Sequence, residues 1–138
     1  MASSFRSEFS VDGLENPLTL IDSSINFNQS VDRKGRASAG VRSGLLEVSI
    51  LGNDRGVLTN WASDPLAIKN GWIIYRDQKG GTLQRVEFKD AYCVRYHETF
   101  RVGDATAAYS IQLGMTARQI IIDGYVHDNM WMDWKMGA

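Results

Sequence analysis

Apolar side chains recur at every second position over most of the chain, the pattern of strands whose successive side chains point to opposite faces. Phe5, Phe9 and Val11 share one face of a first strand and Arg6, Glu8 and Ser10 the other, with Asp12-Gly13 supplying a turn. A longer strand follows, with Ile21, Ile25, Phe27 and Val31 on a dry side and Asp22, Ser24, Asn26, Asn28 and Ser30 on a wet one. Leu46, Val48 and Ile50 then alternate with Glu47 and Ser49. Alternation returns in Trp72 to Arg76, reverses over Asp77-Gln78-Lys79-Gly80-Gly81, and resumes from Leu83 to Lys89. Val86, Phe88, Tyr92, Val94 and Tyr96 hold one parity through Lys89-Asp90-Ala91, which predicts a bend or change of sheet without loss of facing. Strand character continues to about Phe100, then returns in Tyr109, Ile111, Leu113 and Met115, and ends in a short Ile120-Ile121-Ile122 strand. From Gly124 to Ala138 no period is evident.

One helix interrupts this series, over about 54–64. Asn53 or Asp54 is placed to cap it, Val57, Leu58, Trp61 and Ala62 form its apolar stripe, and Pro65 forbids its continuation. Arg101 to Thr106 reads as a polar loop, and so does the longer Asp32 to Gly44 segment, in which three glycines and four basic residues leave little to bury. Loops of that length inside a domain generally have a function. About eight short strands with one flanking helix, and no alternating strand-helix series, predict a mainly β fold: a small antiparallel β-barrel or two-sheet sandwich.

At 138 residues with 43% hydrophobic and 22% charged, the chain fits a single domain spanning 1–138, large enough for a core without metal or disulfide. A net charge of -1 gives no overall field to gather nucleic acid or anionic membrane. The one basic cluster, Arg33, Lys34, Arg36 and Arg42, lacks the interleaved aromatics that stack bases. No apolar run reaches membrane-spanning length, and the first ten residues lack a signal-peptide core. Cytoplasmic synthesis without a signal peptide is therefore expected.

The expectation for catalysis, metals and cofactors is negative. Cys93 and His97 share strand parity but stand about 13 Å apart at ~3.3 Å per residue, too far for one metal ion. No serine lies in a nucleophile motif, and Lys79-Gly80-Gly81-Thr82 lacks the order of a phosphate loop. An apolar interior with an uncharged strand face leaves open a monomeric small-ligand-binding β-barrel, and the basic loop leaves open a nucleic-acid module, though no nucleic-acid partner is expected.

The Asn28-Gln29-Ser30-Val31-Asp32 strand end, the Gly35-Arg36-Ala37-Ser38 loop, the Trp61 helix and the run Val86 to Tyr96 narrow this choice. Within that run, Phe88, Lys89, Asp90, Ala91, Tyr92, Cys93, Val94 and Tyr96 are the most specific residues. From Phe5 to about Trp131 the chain resembles the inner-tube protein of type VI secretion systems, the haemolysin-coregulated protein family, in its Bacteroidota branch. The resemblance implies a non-enzymatic subunit of hexameric rings that stack into a hollow tube. A contractile sheath expels the tube, behind a spike and with effector cargo. It further implies that the 32–44 loop, with Asp32, Arg33, Lys34, Gly35, Arg36, Ser38 and Arg42, reaches the neighbouring ring, and that the machinery secretes the subunit without membrane insertion. Residues 132–138 lie beyond the resemblance and read as a tail extension. Tube proteins of phage-like extracellular contractile injection particles share the expected fold and stand as an alternative.

Overall fold

A computed structural model describes residues 6–28, 42–52, 56–103 and 109–128. Strands Glu8–Val11 (β1), Leu18–Asn28 (β2) and Arg42–Leu51 (β3) precede a helix, Val57–Ser63 (α1). Lys69–Arg76 (β4), Thr82–Phe100 (β5), Tyr109–Ile122 (β6) and Tyr125–Asp128 (β7) follow. All pairings are antiparallel. The order β3-β2-β1-β4-β5-β6 closes on itself through a β3–β6 pairing, which makes a six-stranded barrel, and β7 adds to β6. β6 pairs with β5 along its whole length; its other edge is shared between β3, over Ser110 to Met115, and β7, over Gln119 to Ile122.

The barrel is mainly β as the alternation predicts, but its strands are fewer and longer. Leu83–Lys89 and the run to Phe100 are one 19-residue strand, and Tyr109–Met115 and Ile120–Ile122 are one 14-residue strand. Asp123 and Gly124, at φ 49 and 91, form a two-residue hairpin turn into β7. That element was not expected, although Asp-Gly between two apolar runs is a hairpin signal.

The interior is filled by side chains. Phe9, Ile73, Val86, Phe88, Ile111 and Met115 are fully buried, and Phe9 stacks on Phe88 with ring centroids 6.2 Å apart. A lipocalin-like ligand chamber has no room among these residues. Leu58 and Trp61 of α1 join the same core. Trp61 satisfies its indole N–H on the Ala67 carbonyl at 3.1 Å. The helix is shorter than 54–64, and its N-cap is Gly56 at φ 85, with no side-chain capping bond, in place of Asn53 or Asp54.

Facing along the long strands follows their irregularities. Leu18 and Leu20 of β2 turn to the core, a register shift intervenes after Leu20, and Ile25 then packs inward while Ile21 is left 48% exposed. Phe27, expected on the dry side, is likewise exposed. On β5 the inward set runs Val86, Phe88, Ala91, Cys93 and Tyr96. Parity is therefore not kept through Lys89-Asp90-Ala91, and Val94 points outward. β6 changes parity opposite the same corner, from Ala117 to Ile120, while the β5–β6 register stays constant there. The two strands bend as one ribbon.

Candidate assembly surface

The β2–β3 hairpin sets the long axis of the molecule's candidate contacts. β2 and β3 pair from Leu20–Ile50 to Asn28–Arg42, so residues 29–41 connect them at one end, while Leu18 and Leu51 lie at the other. The 11 residues of β2 separate these ends by about 30 Å. Asp32, Arg33, Lys34, Gly35, Arg36 and Ser38 lie outside the described residues. Arg42, together with Ser43 and Gly44, belongs to β3 and not to the loop expected to reach residue 44. The Asp123-Gly124 turn leaves the end of β6 remote from Tyr109, and beside it Leu83, Tyr125 and Val126 are strongly exposed.

At the opposite end, Gly13, Leu14, Glu15, Asn16, Pro17, Leu18 and Thr19 face Leu51, Gly52 and Val57 across a recess of about 440 Å³. Its wall is pinned, because the Gly52 N–H donates to the Tyr109 carbonyl at 2.9 Å and a Cβ at Gly52 would enter the Tyr109 ring. Phe100 packs edge-on to Tyr109 at 6.5 Å, yet remains 67% exposed, and Val102 beyond it is 91% exposed. A second recess of about 410 Å³ lies on the flank, lined by Asp12, Asn70, Trp72, Glu87 and Lys89 among others.

The Phe88–Tyr96 run forms the β5 corner. Asp90 stands at φ 55, a conformation Asp adopts more readily than most residues. Its N–H donates to Asn70 Oδ1 at 2.9 Å, and its carboxylate accepts from Arg118 Nε at 2.8 Å. Arg118 also pairs with Asp128 of β7 at 3.5 Å, and Gln119 donates to the same carboxylate at 2.8 Å. The corner and the added strand are thus tied by one polar cluster. Further along β5, a register shift at Val94 turns Arg95 outward, and its guanidinium reaches Glu47 of β3 at 2.9 Å. Gly114 of β6 lies between them, and a Cβ there would stand 3.0 Å from the Arg95 Cβ. Past the corner, β5 has β6 on one edge only, since β4 pairs no further than Ala91; α1 packs against β5 instead. Thr59 donates to the Tyr96 hydroxyl at 3.0 Å, which donates on to Glu98 at 2.6 Å. Tyr109 adds a second donor to the same carboxylate at 3.2 Å.

Cys93 faces the core and burial pushes its thiol above the ordinary 9.0, against a smaller opposing effect of the Arg95 backbone. The register shift at Val94 puts His97 on the exterior, where Nε2 lies 3.3 Å from Thr99 Oγ1, so the two residues do not share a face as their spacing predicts. His127 meets the Phe27 ring edge-on at 4.9 Å. Among the described residues no group of three or more His, Cys, Asp or Glu side chains is placed to hold a metal ion, and no helix is long and apolar enough to cross a membrane.

The model of the family described as Hemolysin coregulated protein Hcp (TssD) matches residues 3–132. Among solved structures, Hcp1 from Flavobacterium johnsoniae superimposes with a TM-score of 0.76 at 24% identity, covering 91% of this chain and 100% of that one. Hcp1 from Salmonella typhimurium gives 0.68 at 12% identity, covering 83% of each chain. A component of the anti-feeding prophage baseplate gives 0.51 at 15% identity, covering 86% of this chain and 91% of that one. No curated protein matches the chain.

Proposed function

The chain belongs to the Hcp (TssD) family, and from that premise we propose how the parts of this subunit serve a type VI secretion tube. The protein is a structural subunit of that tube, built as a filled, closed barrel that forms hexameric rings stacked into a hollow conduit. The match over residues 3–132 carries this conclusion.

The 32–44 segment makes the ring-to-ring contact, with Arg33, Lys34 and Arg36 supplying its charge. Its two anchor strands leave the barrel at one end, which supports that role. A polar, charged contact sets register without the persistent adhesion of an apolar patch. The Phe88–Tyr96 corner fixes the shape of the barrel wall through Asp90, Arg118 and Asp128. The tube meets its sheath along the outside, a spike at its tip and effectors in its channel, and acts without catalysis. The machinery carries the folded subunit out of the cell, with no signal peptide needed. Purified full-length protein should form rings visible by electron microscopy and of hexameric mass by light scattering. A strictly monomeric species at high concentration would overturn the assignment.

A further inference from the structure

We propose that the flank recess of about 410 Å³, built from Ser10, Asp12, Asn70, Trp72, Glu87 and Lys89, is a binding site for a short neutral saccharide that stacks on Trp72. The inference goes beyond the tube reading and does not depend on it.

Three strands place the site. Ser10 of β1, Trp72 of β4 and Glu87 of β5 stand opposite one another in a single cross-strand row. Their chain neighbours Phe9, Val11, Ile73, Val86 and Phe88 are buried, so alternation turns the row outward and leaves Trp72 half-buried on the barrel's exterior. The Arg85 guanidinium lies over the Trp72 ring, 5.8 Å from its centroid, yet Arg85 does not line the recess; it steadies the ring from outside. Trp61 gives its indole N–H to the Ala67 carbonyl, whereas that of Trp72 has no protein acceptor among the described residues.

The polar rim is fixed and largely uncommitted. The Asp12 N–H donates to the Asn70 carbonyl at 3.0 Å, the Asn70 N–H donates to Asp12 Oδ2 at 2.9 Å, and Asn70 Oδ1 accepts from the Asp90 N–H at 2.9 Å. These bonds hold both side chains while leaving the Asn70 amide NH₂ and Asp12 Oδ1 without partners among the described residues. The Ser10 hydroxyl and the Lys89 ammonium are equally free there, and Glu87 meets only Arg85, at 3.8 Å. Donors and acceptors of both signs therefore converge on one preorganised recess. A cation would meet Lys89 and find Trp72 already holding Arg85, and an anion would meet Asp12 and Glu87. An apolar ligand would strip water from the polar rim without replacing its hydrogen bonds. A sugar ring answers all three objections, because it brings a C–H face to the indole and neutral hydroxyls that both donate and accept. The volume lies near the lower end of the range for small-molecule sites, about 300–1,000 Å³.

Fluorotryptophan labelling of the full-length protein, in whatever assembly it forms, tests this. Each of the four tryptophans gives one fluorine resonance, and Trp72→Phe identifies that of Trp72. Tri-N-acetylchitotriose, maltotriose and cellotriose are titrated to millimolar concentrations, with trilysine and inorganic phosphate as charged comparators. At least one saccharide should shift the Trp72 resonance saturably and leave the other three unmoved. By calorimetry, Trp72→Ala should weaken that binding about tenfold or more, and Lys89→Met about threefold. No saturable shift with any of the three saccharides overturns the proposal, as does undiminished affinity in Trp72→Ala. A response to trilysine or phosphate alone overturns the neutral ligand. Should Trp72→Ala fail to fold or assemble, Ser10→Tyr decides the matter, because it fills the recess from β1 and should abolish binding with the ring platform intact. Rings are scored separately by electron microscopy, so saccharide binding by a protein that forms none would remove the tube reading and leave this site standing.

Discussion

The β5 corner permits a test that separates backbone strain from side-chain pairing at one residue. Asp90 pairs with Arg118 at 2.8 Å, with side chains only 20% and 22% exposed, and holds φ 55. Replacement by Ala removes the carboxylate and places a residue with no local hydrogen-bonding group in the left-handed region. Loss of a largely shielded ion pair costs about 1 kcal/mol here, at the low end because Arg118 retains Asp128 at 3.5 Å. The left-handed conformation costs Ala about 1 kcal/mol more than Gly. Asp90→Ala should thus destabilise by about 2 kcal/mol, and Asp90→Gly by about 1 kcal/mol. Asp90→Asn, which tolerates positive φ but carries no charge, should lie near the glycine variant. Urea unfolding monitored by tryptophan fluorescence, at one protein concentration so that assembly contributes equally, gives the three values. Equal loss for Ala and Gly would show that backbone conformation is not what this aspartate provides. Loss under 0.5 kcal/mol for all three, a typical surface value of about that size, would show that the corner does not depend on it.

Other sites carry equally definite expectations. A Cβ at Gly71 would stand 2.5 Å from Phe88 Cζ and meet the Ser10 carbonyl oxygen of β1 still more closely. Neither neighbour is a flexible chain end, so Gly71→Ala should cost about 1–3 kcal/mol, read as a lowered Tm. Phe88→Ala removes a fully buried ring stacked on Phe9 and should cost about 3–5 kcal/mol, a large share of the stability of a domain this size, with soluble yield as the first readout. The Cys93 thiol is raised above 9.0 by burial, so native protein should react with a thiol reagent near pH 8 more slowly than urea-unfolded protein. Because the unfolded thiol loses its proton first, the contribution of Cys93 to stability is complete below about pH 9 and declines as pH rises through the folded value. A Cys93→Ser variant should lack that alkaline decline.

Much of the barrel was legible because inward positions of straight strands obey a period of two. Leu46, Val48 and Ile50 on β3 and Ile111, Leu113 and Met115 on β6 are buried as their alternation predicts. The same rule failed wherever the backbone departs from a regular pleat. Nothing in the residue types marks the register shifts after Leu20 and after Ile25 or the one at Val94, and each changes the facing of the stretch that follows it. Lys89-Asp90-Ala91 and Gln119 look like ordinary strand residues, yet both strands bend there, which is why two predicted strands fused into one on each side. Asp123-Gly124 was readable as a hairpin, but the short Tyr125–Asp128 strand after it has too little alternation to stand out. Of the assembly surface, the basic segment and the Phe88–Tyr96 run were visible as composition and motif. The Glu15 recess was not, since it joins residues 13–19 to 51–57 only through the β2–β3 pairing.

Barrel closure bears on how a sheet protein that assembles by repetition avoids assembling indiscriminately. The β3–β6 pairing joins two strands that would otherwise be edges, while among the described residues the outer side of β7, β2 beyond Thr19 and β5 beyond Ala91 each keep an edge with no strand partner. Of these, β5 beyond Ala91 is interrupted at Val94, has α1 packed against it, and carries Arg95, which pairs with Glu47, and Glu98, which accepts from two tyrosines. A strand added there would encounter charge and an irregular backbone, so edge-to-edge growth at that edge is opposed.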